Sequence, residues 1–128
     1  MTTVLDSSAV LAALLGEPGG DVVADALENA VISAANLSEV AHGLVRNGNS
    51  EVQTRALISA LGLEVIAVDE EQALDCGFLR SKTDRFGLSL GDRFCFALGR
   101  RLASPVMTAD RIWREAAASA EIQVILIR

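Results

Sequence analysis

Ser89-Leu-Gly-Asp92-Arg-Phe-Cys-Phe-Ala-Leu98, followed closely by Pro105-Val-Met-Thr108-Ala-Asp110-Arg-Ile-Trp113, decides the fold. It sets an acid in the first turn of a helix, then a short apolar strand, then a second acid where that strand ends. The first half of the chain has the same arrangement. Asp6 ends the strand from Thr3, and Glu39 is expected in the first turn of the helix after Val31-Ile32-Ser33. If these strands run parallel in one sheet, all four acids gather at one edge, where open α/β sheets build their sites.

Helices and strands alternate along the whole chain. Strands are expected at 3–6, 30–33, 63–68, 105–108 and 124–127. Helices are expected at 7–15, 21–29, 36–46, 50–61, 69–82, 89–102 and 111–119, with 84–88 as a loop. Gly16 and Pro18 stop the first helix, Gly48-Asn49 the third, and Gly62 the fourth. Strands this short and apolar belong inside a parallel sheet covered on both faces, an α/β sandwich. There is no repeat, low-complexity tract or linker, so residues 1–128 read as a single domain.

At 128 residues the chain can bury a core without disulfides. Its 51% hydrophobic content and mean hydropathy of +0.37, beside a net charge of −6, exceed what one small interior hides, so an apolar interface is expected. No apolar run reaches the length of a membrane span, and the amino terminus lacks a basic signal-peptide region. Cys76 and Cys95 sit in helical patterns and read as buried reduced thiols, in keeping with a cytoplasmic protein. Acidity argues against nucleic-acid binding by bulk charge, but residues 80–114 hold eight cationic side chains against three acids. That local excess can grip a phosphate backbone.

Each acid also has a purely structural explanation. Asp6 and Asp110 can cap the helices that follow them, and Asn36-Leu-Ser-Glu39 and Ser89-Leu-Gly-Asp92 have capping-box spacing. Caps gain nothing from being clustered, however, and crowded carboxylates raise one another's pKa. A hard divalent cation such as Mg²⁺ or Mn²⁺ relieves that repulsion. His42 has no partners to complete a zinc set, no glycine-rich phosphate loop is present, and Ser7 and Ser8 lack a base for nucleophilic work. Their hydroxyls can still orient water or phosphate. An aspartyl-phosphate mechanism at Asp6 lacks its second acid, since Ser8 stands two residues on, and Lys82 is wrongly placed for a receiver site.

Together, Val4-Leu-Asp6-Ser-Ser, Ser38-Glu39, Leu90-Gly-Asp92 and Thr108-Ala-Asp110-Arg-Ile-Trp113 resemble the PIN domain, and within it the VapC-like toxins of bacterial toxin–antitoxin pairs. The resemblance implies a PIN-like three-layer sandwich and an endoribonuclease dependent on Mg²⁺, with Mn²⁺ substituting and one or two ions bound. It implies Asp6 and Asp92 as principal metal ligands, Glu39 as ligand or water-positioning group, and Asp110 as completing the cluster. Thr108 would orient Asp6 or a water or touch substrate, and Arg85, Arg93 and Arg111 would hold flanking phosphates. A VapB-like antitoxin and a homodimer are also implied, with DNA met only through the antitoxin complex. Gly91 departs from many relatives and reads only as a slight weakening of the helix start. The competing reading is a catalytically silent RNA- or partner-binding module whose acids merely cap helices.

Overall fold

The computed structural model describes residues 1–128. Five strands, β1 (Thr3–Leu5), β2 (Ala30–Ser33), β3 (Glu64–Ile66), β4 (Val106–Thr108) and β5 (Val124–Leu126), form one sheet in the order β3-β2-β1-β4-β5. Every pairing is parallel. The chain therefore winds outward from β1 to β2 and β3, then returns across β1 to add β4 and β5. This makes the β1–β4 junction the topological switch point, and its carboxyl end is where a crevice must open.

The helices are α1 (Ser7–Leu15), α2 (Gly20–Ala26), α3 (Ala34–Arg46), α4 (Glu51–Ala60), α5 (Glu70–Phe78), α6 (Arg80–Thr83), α7 (Leu90–Leu102) and α8 (Trp113–Ala120). None is long and apolar enough to cross a membrane. Side chains alternate along each strand and so feed two separate cores. Val4, Val31 and Val106 face Cys76 of α5, Cys95, Phe96 and Leu98 of α7, and Trp113 and Ala116 of α8. The Trp113 and Phe96 rings meet edge-on, 4.8 Å between centroids at 87°. Leu5, Ile32 and Met107 point the other way, onto Ala9 and Val10 of α1, Val23 of α2, and Val40 and Leu44 of α3. The sandwich expected from the sequence is the one observed.

Local chemistry explains most element ends. Gly16 takes φ 69°, closing α1 in the left-handed conformation that a side chain disfavours. Ser50 and Gln53 form a capping box at α4, and Ser89 and Asp92 another at α7. Several boundaries differ from expectation: the 21–29 helix ends at Ala26 in a 3₁₀ turn over Leu27–Asn29, and the 63–68 strand is confined to Glu64–Ile66. The helix after β2 starts at Ala34, not Asn36, because Ser33 caps it by accepting from the Ala35 N–H. The 69–82 helix is broken into α5 and α6, and residues 84–86 form a short 3₁₀ turn where a loop was expected. α8 starts at Trp113, two residues later than expected. Both cysteines are buried and unpaired, and burial pushes the Cys95 thiol well above its usual range. They are core residues, as expected.

Candidate active site

The four acids are carried to the carboxyl edge of the sheet by four different elements. Asp6 follows β1, Glu39 lies in α3, Asp92 in the first turn of α7, and Asp110 two residues beyond β4. The pairing of Leu5 with Met107 sets Asp6 beside Thr108, and the Asp6 N–H donates to the Met107 carbonyl.

Asp6 is almost fully buried, at 4% exposure. It occupies the N-cap position of α1 but makes no capping bond. Instead its Oδ2 accepts from Ser8 Oγ at 2.6 Å and from Thr108 Oγ1 at 2.9 Å. Those two hydroxyls are oriented in turn, Ser8 accepting from the Ala109 N–H and Thr108 from the Asp110 N–H. Asp6 Oδ1 is buried with no hydrogen-bond partner at all. Burial raises the Asp6 pKa to about 6. The two hydroxyl bonds oppose the rise, and the charges of Asp92 and Glu39 add to it. A cap would not be left half-satisfied and titrating near neutrality.

Asp92 has both roles. Its Oδ2 accepts from the Ser89 N–H at 2.9 Å while its own N–H donates to Ser89 Oγ, completing the capping box. Its Oδ1 takes no bond from the protein. Burial again pushes its pKa up, the Ser89 bonds pull it down, and the charges of Glu39 and Asp110 raise it. Glu39 lies in the second turn of α3 and takes no part in a capping box, since Ser33 supplies the cap. Its Oε1 accepts from Asn36 Nδ2 at 2.8 Å. Asp110 is exposed, and its Oδ1 accepts from the Ile112 N–H, steadying the turn into α8. The acids thus feel one another's charge across an open edge, and no three of them close into a ready-made metal cage.

The expected substrate contacts fare differently. Thr108 is fully buried, so it positions Asp6 and does not reach a substrate. Arg93 is half-buried and donates to the Cys76 carbonyl at 3.2 Å, bracing α7 against α5. Arg85 lies over the Phe86 ring and donates to Ser119, in the last turn of α8 and away from Asp110. Both arginines are therefore structural braces. Arg111 alone of the three is exposed at the acid edge, sharing a cavity of about 410 Å³ with Arg114, Leu126, Ile127 and Arg128. Ser8, Asn36 and Gly91 are the site residues whose roles the sequence did not show.

The chain is similar to known proteins in sequence and in fold. Over 114 residues, 81% of this chain and 87% of the relative, the sequence is 30% identical to VapC ribonuclease Mb2780c of Mycobacterium bovis. The same figures hold for ribonuclease VapC42 of Mycobacterium tuberculosis. Among solved structures, VapBC2 from Rickettsia felis, bound to a promoter DNA fragment, superposes with a TM-score of 0.77 at 17% identity, covering 98% of each chain. FitAcB from Neisseria gonorrhoeae superposes with a TM-score of 0.72 at 19% identity, over 98% of this chain and 97% of that one. The PIN domain family matches residues 3–119, a span that opens on β1, closes within α8 and includes all four acids, and the chain belongs to that family.

Proposed function

We propose that this PIN domain is a Mg²⁺- or Mn²⁺-dependent endoribonuclease and the toxin of a toxin–antitoxin pair. The observation that carries the reading is Asp6, a buried carboxyl with an unpartnered oxygen under the charge of two neighbouring acids. A hard cation satisfies that oxygen and removes the repulsion. The open arrangement fits Mg²⁺, which takes one or two carboxylates and keeps water or substrate phosphate as its other ligands. Asp6 and Asp92 would hold it, Asp6 through Oδ1 and Asp92 through the oxygen not spent on capping. Bound there, the ion supplies charge neutralisation at the phosphate and acidifies water.

The chain's own groups supply the rest. Ser8 and Thr108 fix the Asp6 carboxyl so that Oδ1 is the oxygen left free. Glu39, held by Asn36 at one oxygen, has its other oxygen available to accept the proton of the attacking water. Asp110, exposed at the rim, is a second acceptor. Attack on phosphorus expels the 3′ oxygen, which takes up a proton and leaves a 3′ hydroxyl and a 5′ phosphate. Arg111 and Arg114, which share one pocket, would hold a flanking phosphate of the RNA.

Two further features support the toxin reading. The relatives that match in sequence are named as VapC ribonucleases, and the superposing structures include a toxin–antitoxin complex from Klebsiella pneumoniae. Between α3 and α4 runs a groove of about 1030 Å³ lined by Leu37, Ala41, Val45 and Ile58, which suits an apolar partner segment such as that of a VapB-like antitoxin. The exposed Val45, Val52 and Phe78 are surface for that antitoxin and for a second copy in a homodimer. DNA would be met only through the antitoxin, and the cytoplasm is the compartment this role implies.

The test uses purified chain and total bacterial RNA, with Mg²⁺, Mn²⁺ or EDTA. Discrete cuts bearing 5′ phosphates, present with metal and absent with EDTA or in Asp92→Asn, are expected. Cuts that persist in EDTA or end in cyclic phosphates would refute a metal-dependent hydrolysis.

A further inference from the structure

Asn36 and Gly91 join the two helices that carry Glu39 and Asp92. Asn36 is fully buried in α3, and its Nδ2 donates twice, to Glu39 Oε1 at 2.8 Å and to the Gly91 carbonyl at 2.9 Å. These two acceptors settle which way the amide faces, leaving Oδ1 buried and without a protein partner. Gly91 lies in the first turn of α7, immediately before Asp92, and does not adopt a positive φ. Its backbone therefore does not require glycine. What requires it is space, because a Cβ there would fall 2.6 Å from Glu39 Cδ and 2.7 Å from Oε1. The Glu39 carboxylate occupies the volume any other residue would fill.

We propose that Asn36 and Gly91 are positioning residues that set how closely Glu39 approaches Asp92, and thereby the affinity of the acid cluster for a divalent cation. This rests on the metal-dependent reading above. The chemistry of the pair suits the task. A neutral amide holds a carboxylate without cancelling its charge, whereas a lysine or arginine in its place would compete with the cation. One Nδ2 tied to both helices fixes their separation at the acids, where hydrogen bonds to each helix from separate groups would not.

The test measures binding of Mn²⁺ alone to the full chain, without RNA, by titration with spin-resonance detection of free ion. Gly91→Ala pushes the Glu39 carboxylate aside and is expected to weaken Mn²⁺ binding about tenfold, and Asn36→Ala by a similar factor. In EDTA the Gly91→Ala melting temperature should stay close to that of the wild type, since the displaced atoms are the end of a flexible side chain. Glu39→Asp withdraws the carboxylate, so adding Gly91→Ala to it should cost nothing further. Wild-type affinity in Gly91→Ala, or a double variant weaker than Glu39→Asp by the full Gly91→Ala factor, overturns the proposal. The Gly91 cycle suffices if Asn36→Ala does not fold. A wild type that binds no Mn²⁺ removes the metal-dependent reading itself, and this inference with it.

Discussion

Replacing Asp6 with asparagine should stabilise the metal-free protein, and more so at higher pH. In the native state the carboxyl titrates at about 6 against an ordinary 3.8. Between those values the native state binds a proton that the unfolded chain has lost, so stability falls as pH rises. A rise from 3.8 to about 6 corresponds to about 3 kcal/mol lost above pH 6 and regained in acid. About half of this returns between pH 8 and pH 5. At about 2.1 cal/mol/K per residue of unfolding entropy, that is roughly 5 °C in melting temperature. Asparagine keeps an oxygen for Ser8 and Thr108 but cannot ionise, so titrating groups outside the acid cluster cancel when variant and wild type are compared. The burial of an unpaired NH₂ offsets part of the gain by a pH-independent amount. Melting curves in EDTA should show the gap between Asp6→Asn and wild type widening by roughly 5 °C from pH 5 to pH 8. A gap that is flat, or that widens toward acid, would refute the account of Asp6 as a buried carboxyl strained by its neighbours.

Thr108→Val removes a donor to Asp6 and the acceptor of the Asp110 N–H, and should cost about 1–3 kcal/mol in urea denaturation. Ser89→Ala removes the hydroxyl half of the α7 capping box, so stability should fall by about 1 kcal/mol while Mg²⁺-dependent cleavage persists, because Asp92 Oδ1 is untouched. Arg111→Ala and Arg114→Ala should each weaken RNA binding and take about 0.7 from the salt slope without moving the cleavage sites. Arg93→Ala should instead lower the melting temperature, since its guanidinium serves the Cys76 carbonyl.

Asp6, Asp92 and Asp110 were legible because each sits at a strand end or helix start, positions that turn and cap chemistry marks in sequence, whereas Glu39 stood out through a helix start placed two residues too late. The parallel sheet was legible from strands too short and apolar to lie outside a core. Helix faces were harder. Asn36 looked like a cap because the start of α3 was placed at it, but Ser33 caps that helix and turns Asn36 inward. Its second acceptor, the Gly91 carbonyl, is 55 residues away, and no local pattern reports a contact between two packed helices. For the same reason Gly91 read as a weak helix start when its missing side chain is room for Glu39. The arginines were legible as charge but not as direction, so Arg85 and Arg93 were grouped with Arg111 although they brace the fold.

Induced expression in a bacterial host, wild type beside Asp92→Asn, with new 5′ RNA ends mapped in both cultures, tests the central claim most directly. Growth arrest and discrete new 5′-phosphate ends are expected in the wild type alone. Equal growth and identical RNA ends, with both proteins abundant and folded, would contradict it and favour a PIN domain whose acids hold the fold without cutting RNA.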